Sequence, residues 1–156
     1  MITLSIRIDD KRVMEALNDP KLVMGPIRDF LWRSALTVEA RAKQNAPVDT
    51  NRLRNSIRPT IEPTRAMIGP HTSYAAFVEF GTRPHWAPRG ALQPWARRHG
   101  FPAGAAGDDL VRRAIARRGT RAQPYMQPAL EDSRADIEAF LSDAGRDIEE
   151  QWESHG

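Results

Sequence analysis

The sequence predicts an α+β fold, in which one long central helix and one long C-terminal helix pack on a small, mainly antiparallel sheet. Residues Ile2 to Asp9 alternate between apolar and polar side chains, which is typical of a half-buried strand. Two later segments, Pro20 to Gln44 and Pro128 to Trp152, instead repeat their apolar residues with helical spacing. With 156 residues, the chain is expected to form a single domain over residues 1–156.

The central helix is predicted from one apolar stripe on an otherwise polar segment. The stripe consists of Ile27, Leu31, Ser34 with Ala35, Val38 and Ala42. The helix should end within Asn45 to Pro47, because a residue that precedes proline disfavours the helical conformation.

A helical turn and a hairpin are predicted next. Asp49 and Thr50 can cap a short helical turn. The two β candidates, near Ser56 to Glu62 and Arg65 to Gly69, contain or adjoin prolines, which favours strands at the edge of a sheet. The turn between them is expected at Pro63 and Thr64.

The stretch YAAFVEFGTRPH, residues 74–85, contains one acid among aromatic residues. A short helix over Tyr74 to Phe80 is favoured, capped by Thr72 or Ser73, stopped by Gly81 and with Tyr74, Phe77 and Val78 inward. The alternative is a strand with alternate residues on one face. Glu79 is interpreted as a structural pin with Phe77, Val78 and Phe80 buried around it, since no second catalytic group accompanies it.

A long loop excursion is predicted over about residues 84–123, which are rich in Pro, Gly and Ala. It should contain a helical turn near residues 95–99 and a short helix that Asp108 or Asp109 caps. That helix is expected to have an apolar side of Leu110, Ala114 and Ile115, a basic side of four arginines, and an end at Gly119. Residues 122–130 are predicted to be extended.

Charge is distributed unevenly. Residues 1–80 carry a net charge of +3, residues 81–124 carry +7 and residues 125–156 carry −7. Such asymmetry indicates either an electrostatic partner or solvated faces. The absence of cysteine excludes disulfides, thiol nucleophiles and cysteine-ligated metals. We find no secretory or membrane-spanning segment and expect a cytoplasmic product.

Catalytic, cofactor-binding and metal-binding residues are not expected. The spacing of His71, Glu79 and His85 matches no metal motif, and no serine elbow or nucleotide-binding loop is present. Two alternatives to a structural role remain open. One is a sequence-independent DNA-binding module that uses the arginine-rich segment 97–121, and the other is a small hydrolase centred on Glu79 and His85.

Three blocks at residues 46–57, 74–85 and 124–132 together resemble the head-tail joining and tail-completion proteins of long-tailed DNA phages and prophages, a virion morphogenesis family. The resemblance covers about residues 20–152. The family has glycine where Asn51 stands here, and asparagine tolerates the left-handed conformation better than other non-glycine residues.

The resemblance implies a non-enzymatic structural protein that forms a hexameric ring at the neck or top of the tail. Its implied partners are other copies of itself, head-completion or connector proteins and the tail terminator or tube, with genome DNA passing through the lumen and no membrane contact. The implied location is the virion, after assembly in the host cytoplasm.

Two sets of residues are expected to build the subunit and its contacts. Glu79, Gly81, Thr82 and Arg83 would hold the root of the excursion. The predicted interface pairs arginines of one subunit with acids of its neighbour, and these residues are Arg112, Arg113, Arg117, Arg118, Asp136, Asp143, Asp147 and Glu150.

Overall fold

The predicted α+β fold class is confirmed. The computed structural model describes residues 2–3 and 20–155, and the side chains of residues 22–154. The elements are β1 (Ile2–Thr3), α1 (Pro20–Asn45), α2 (Arg52–Ser56), β2 (Ile57–Glu62), β3 (Arg65–Pro70), α3 (Ala75–Phe80), α4 (Gln93–Arg98), α5 (Ala105–Arg118), α6 (Met126–Asp132) and α7 (Arg134–His155).

The chain divides into two compact units. Unit 1 comprises residues 1–72 and 124–156, and unit 2 comprises residues 73–123. The predicted excursion therefore lies within unit 2, where α4 and α5 pack against each other. The single-domain organisation stays a prediction.

Helix α1 forms the centre of unit 1, as its stripe predicts. Leu31, Ser34, Ala35, Val38 and Ala42 are all buried, and the helix ends at Asn45 just before Pro47. It contacts α6 and α7 as well as β2 and β3. A single helix thus buries apolar surface against both the sheet and the C-terminal helices, which makes it the main source of core packing.

The sheet has the order β1-β3-β2, with antiparallel pairing throughout. The hairpin closes at residues 63–64, so the predicted turn is confirmed. Hydrogen-bonded and non-hydrogen-bonded pairs alternate along the hairpin, beginning with the hydrogen-bonded pair of Glu62 and Arg65. Pro59 therefore belongs to a non-hydrogen-bonded pair, and its backbone nitrogen points away from β3. The N–H that proline lacks would point to the side of β2 on which no described strand pairs, and this hinders another strand from pairing there. The rest of the predicted N-terminal strand, residues 4–9, lies outside the described residues.

The turn before α2 has a different cap from the one predicted. Asn51, rather than Asp49 or Thr50, occupies the N-cap position, and its side chain makes no cap hydrogen bond. Its φ is 58°, in the left-handed region, and its carbonyl accepts the Asn55 N–H at 2.8 Å. Asparagine therefore takes over the backbone role of glycine, as the sequence predicted.

The C-terminal part corrects two predictions. Residues 126–132 form helix α6 instead of an extended segment, and the long helix α7 begins at Arg134 instead of Pro128. The two helices meet at Ser133, which is fully buried and donates its hydroxyl to the Ala129 carbonyl at 2.6 Å. This break was not predicted from the sequence, because the helical spacing of the apolar residues continues on both sides of Ser133.

Candidate functional site

Unit 2 is closed by a pair of matching Gly-Thr dipeptides. Thr82 and Thr120 exchange two backbone hydrogen bonds, at 3.1 and 3.2 Å, and form an isolated antiparallel bridge. The Thr82 hydroxyl also accepts the Thr120 N–H at 3.0 Å and lies 3.1 Å from the Thr120 hydroxyl. We call residues 81–82 with 119–120 the Gly-Thr clasp. It joins the two ends of the predicted excursion.

Both glycines of the clasp are required by its geometry. Their φ angles are 69° at Gly81 and 71° at Gly119, where other residues are strained. A Cβ at Gly81 would lie 2.5 Å from the Thr120 carbonyl oxygen, and a Cβ at Gly119 would lie 1.9 Å from that of Thr82. The clasp therefore depends on a close approach of two backbones.

Helix α3 confirms the predicted helix but presents the opposite face from the one expected. Ala75 and Glu79 are buried, whereas Phe77 and Phe80 are 59% and 73% exposed. The prediction that both phenylalanines are buried around Glu79 is wrong. Tyr74, not Thr72 or Ser73, occupies the N-cap position, without a side-chain cap bond. The structural role of Glu79 stays a prediction, which its 5% exposure fits.

A second buried acid, Asp108, holds the segment that follows the clasp. It is 3% exposed, and its two carboxylate oxygens accept the Gly90 N–H at 2.7 Å and the Leu92 N–H at 3.0 Å. The predicted cap role is therefore incorrect, since α5 begins at Ala105 with Gly104 as its N-cap. The acid fixes residues 90–92 against α5 instead.

Arg112 is a buried brace and not an exposed member of the basic surface. Its Nε donates to the Ala87 carbonyl at 2.8 Å, and its Nη1 bonds Asp109 Oδ1 at 2.9 Å. The guanidinium also lies 5.4 Å from the ring centroid of Trp86, which is itself 65% exposed. Arg112 thus supports Trp86 from within the unit. Leu110, predicted to lie on the apolar side of helix α5, is exposed.

The surface of unit 2 is strongly basic. Of its nine arginines, eight are exposed, namely Arg83, Arg89, Arg97, Arg98, Arg113, Arg117, Arg118 and Arg121. Of its three acids, Glu79 and Asp108 are buried, and Asp109 pairs with Arg112. Phe77, Phe80 and Trp86 are also exposed in unit 2. Aromatic and arginine side chains together are typical of protein interfaces.

Helix α7 is acidic, but two of its predicted interface acids already have partners in the same chain. Asp136 pairs with Arg41 at 2.6 Å, and Asp143 pairs with Arg33 at 3.0 Å and also with Arg146. Arg41 follows Arg33 in α1, whereas its partner Asp136 precedes Asp143 in α7. The two helices are therefore antiparallel, and ion pairs connect them at two points.

The exposed acids of α7 are Glu138, Asp147, Glu149, Glu150 and Glu153. Asp147 and Glu150 belong to the predicted interface set and remain open to solvent. The acidic face that α7 offers is therefore shifted toward the C-terminal half of the helix.

Residues 27–81 match the model of the HK97-gp10-like family, described as "Bacteriophage HK97-gp10, putative tail-component". The match confirms the resemblance to phage head-tail proteins. It covers about a third of the chain, from α1 to the first glycine of the clasp. No curated protein and no solved structure matches the chain.

The phage tail-component match includes Phe77, Phe80 and Gly81 but ends before most of the basic surface. The hydrolase alternative rests on two residues in different settings. Glu79 is buried, and exposed His85 has its Nδ1 at 2.9 Å from the Arg83 carbonyl oxygen. Among residues 20–155 there is no group of three metal-ligating acids and histidines, nor a helix long and apolar enough to cross a membrane.

Three features of unit 2 were not predicted from the sequence. The second half of the clasp had a visible signal, because the dipeptide Gly81-Thr82 recurs as Gly119-Thr120. The internal role of Arg112 had none, since it stands next to the exposed Arg113. The outward phenylalanines were missed because apolar residues in a short helix were assigned to the core.

Proposed function

We propose that this protein is a non-enzymatic structural subunit of a long-tailed phage or prophage that forms a ring at the neck or top of the tail and joins head to tail. The family match carries the proposal, because a phage tail component is a structural virion protein located in the virion. The neck position, the closed ring and the six-fold copy number come from the family resemblance.

The charge distribution supports assembly through two unlike faces. A ring forms when a face of one subunit binds a different face of the next and the rotation closes. The exposed arginines of α5, which are Arg113, Arg117 and Arg118, supply a cationic face in unit 2. Asp147 and Glu150 on α7 supply an anionic face in unit 1.

The remaining partners follow from the same role. In the neck, the ring lies between head-completion or connector proteins on one side and the tail terminator or tube on the other. Genome DNA passes through the lumen, and assembly takes place in the host cytoplasm.

Electron microscopy of lysates from a phage with a nonsense codon in this gene tests the function. We expect separate filled heads and separate tails, which join when purified wild-type protein is added. Joined, infectious particles without the protein would exclude a role in head-tail joining.

Charge-reversal variants test the two faces in the same complementation assay. Reversal of Arg113, Arg117 and Arg118 to Glu should reduce joining at least tenfold. A matched reversal of Arg28, Arg52 and Arg58, which are exposed in unit 1, should leave it near the wild-type level. Equal effects of the two triple variants would show that only total charge matters.

A DNA-binding module is the second candidate, and the exposed arginines of segment 97–121 favour it. Six of the seven arginines there are exposed. Neutralisation of several phosphates makes affinity fall steeply with salt. If unit 2 binds DNA, the affinity of the purified protein for a random duplex should fall at least tenfold between about 50 and 200 mM salt. No measurable binding at low salt would remove this candidate.

A further inference from the structure

One flank of α7 carries a row of apolar residues that are at least partly exposed and are not part of the core. Leu141, Gly145 and Trp152 follow helical spacing and share this flank. Leu141 is 38% and Trp152 51% exposed. The exposed acids Glu138 and Glu149 border the row, so the flank combines apolar contact with negative charge.

Gly145 creates a notch in this flank. A Cβ at this position would meet no atom of the described residues within 4 Å, so packing among these residues does not require glycine. Glycine inside a helix lowers helix stability relative to almost any other residue. A close approach by a group from outside would account for its presence here.

The surface of unit 2 offers a matching projection. Phe77 and Phe80 lie three residues apart on α3 and are both largely exposed. Exposed arginines follow each half of the clasp, at Arg83 and Arg121, and the clasp brings these two segments together. The projection therefore has an aromatic centre and a cationic rim.

We propose that the flank of α7 around Gly145 is the docking site for the Phe77 and Phe80 projection of a second copy of this chain. The apolar residues of the flank would contact the two phenylalanine rings, and the glutamates that border the notch would pair with the arginines of the rim. The two surfaces are complementary to each other and neither is complementary to itself, so the contact is head-to-tail. The proposal rests on the proposed function, for which it supplies the contact between neighbouring subunits.

Substitution of Gly145 by leucine separates docking from folding. Leucine is a strong helix former, so Gly145→Leu should raise the midpoint of thermal unfolding by about 1–4 °C. The same side chain fills the notch and should weaken self-association at least tenfold in sedimentation between about 10 µM and 1 mM protein. Ala139→Leu, which adds a comparable side chain to another exposed face of α7, should leave association unchanged.

The projection is tested with glutamates. Phe77→Glu/Phe80→Glu removes the aromatic rings and places like charges opposite Glu138 and Glu149, so it should also give monomers. Trp32→Glu removes a similarly exposed aromatic residue on α1 and should associate as the wild type does.

Mixing the two monomeric variants gives the sharpest result. Phe77→Glu/Phe80→Glu keeps an intact flank, and Gly145→Leu keeps an intact projection. A head-to-tail contact predicts that the 1:1 mixture forms one intact junction and stops at a heterodimer. A mixture that stays monomeric overturns the proposal.

The remaining outcomes separate this contact from the ring itself. If wild-type protein associates and Gly145→Leu associates equally well, the docking site is wrong while the ring stands. If wild-type protein stays monomeric at every concentration, both the contact and the self-assembling ring are wrong. If Gly145→Leu lowers the unfolding midpoint, the glycine has an internal packing role and the notch is refuted.

Discussion

Replacement of Asp108 by asparagine should release the segment that carries Gly90 and Leu92. The native carboxylate accepts both N–H groups, at 2.7 and 3.0 Å, from a position that is 3% exposed. Asparagine has one carbonyl oxygen, and its NH₂ group would face a backbone donor. One charge-assisted bond is then lost and the other becomes a neutral bond.

The magnitude follows from ordinary hydrogen-bond energies. A hydrogen bond to a charged group contributes about 1.5–3 kcal/mol, and a neutral one contributes about 1 kcal/mol. Loss of one charged bond and weakening of the other should cost about 2–5 kcal/mol in total. At about 1.4 kcal/mol per factor of ten, local opening becomes about 30- to 4,000-fold more frequent.

Amide hydrogen exchange at Gly90 and Leu92 measures this opening directly. Asp109→Asn is the matched control, because Asp109 lies next to Asp108 but its side chain is exposed and bonds the buried Arg112 instead of the backbone of residues 90–92. Asparagine keeps an oxygen that can accept the Arg112 N–H, so exchange at Gly90 and Leu92 in the control should change less than about fivefold. Exchange in Asp108→Asn within threefold of the wild type would refute the role of the carboxylate.

Three further predictions concern the clasp, the core and the helix pair. Gly119→Ala should lower the free energy of unfolding, measured by urea denaturation, by at least about 3 kcal/mol, because strain at positive φ adds to a backbone clash. Gly100→Ala is the control, since Gly100 has a φ of 79° but open space, and it should cost only about 1–2 kcal/mol. Equal costs would contradict the close approach of the two backbones. Ser34→Ala should raise the unfolding free energy by about 1 kcal/mol, since the buried Ser34 hydroxyl has no hydrogen-bond partner among the described residues; a lower stability would indicate a hidden partner. A double-mutant cycle with Arg41→Met and Asp136→Asn should give a coupling energy below about 1 kcal/mol, because both side chains are partly exposed. A coupling energy above about 2 kcal/mol would mean that the ion pair is effectively buried.

The features that followed from the sequence depend on nearest neighbours along the chain. The stripe on α1, the stop before Pro47 and the hairpin around residues 63–64 are each set by local periodicity or by proline. The left-handed Asn51 was predictable for the same reason, because its conformation depends on its own side chain and the turn that contains it.

The features that the sequence missed depend on residues far apart in the chain. Which face of α3 is buried is decided by its tertiary surroundings, and six residues are too few for periodicity to decide it. Arg112 and Arg113 are adjacent, yet only Arg112 reaches the Ala87 carbonyl, which lies 25 positions earlier. Likewise, the intrachain partners of Asp136 and Asp143 lie on α1, so the interface proposed for α7 moves to its remaining acids.

Cryo-electron microscopy of intact phage particles at the head-tail junction can show directly whether this protein joins head to tail. We expect a ring of this protein in the neck or at the top of the tail, in which unit 2 of each subunit contacts α7 of the next. Density for this fold at the tail tip or along the tube, or its absence from the particle, would contradict a head-tail joining role. A ring in the neck built through other faces would keep the function and refute the proposed contact.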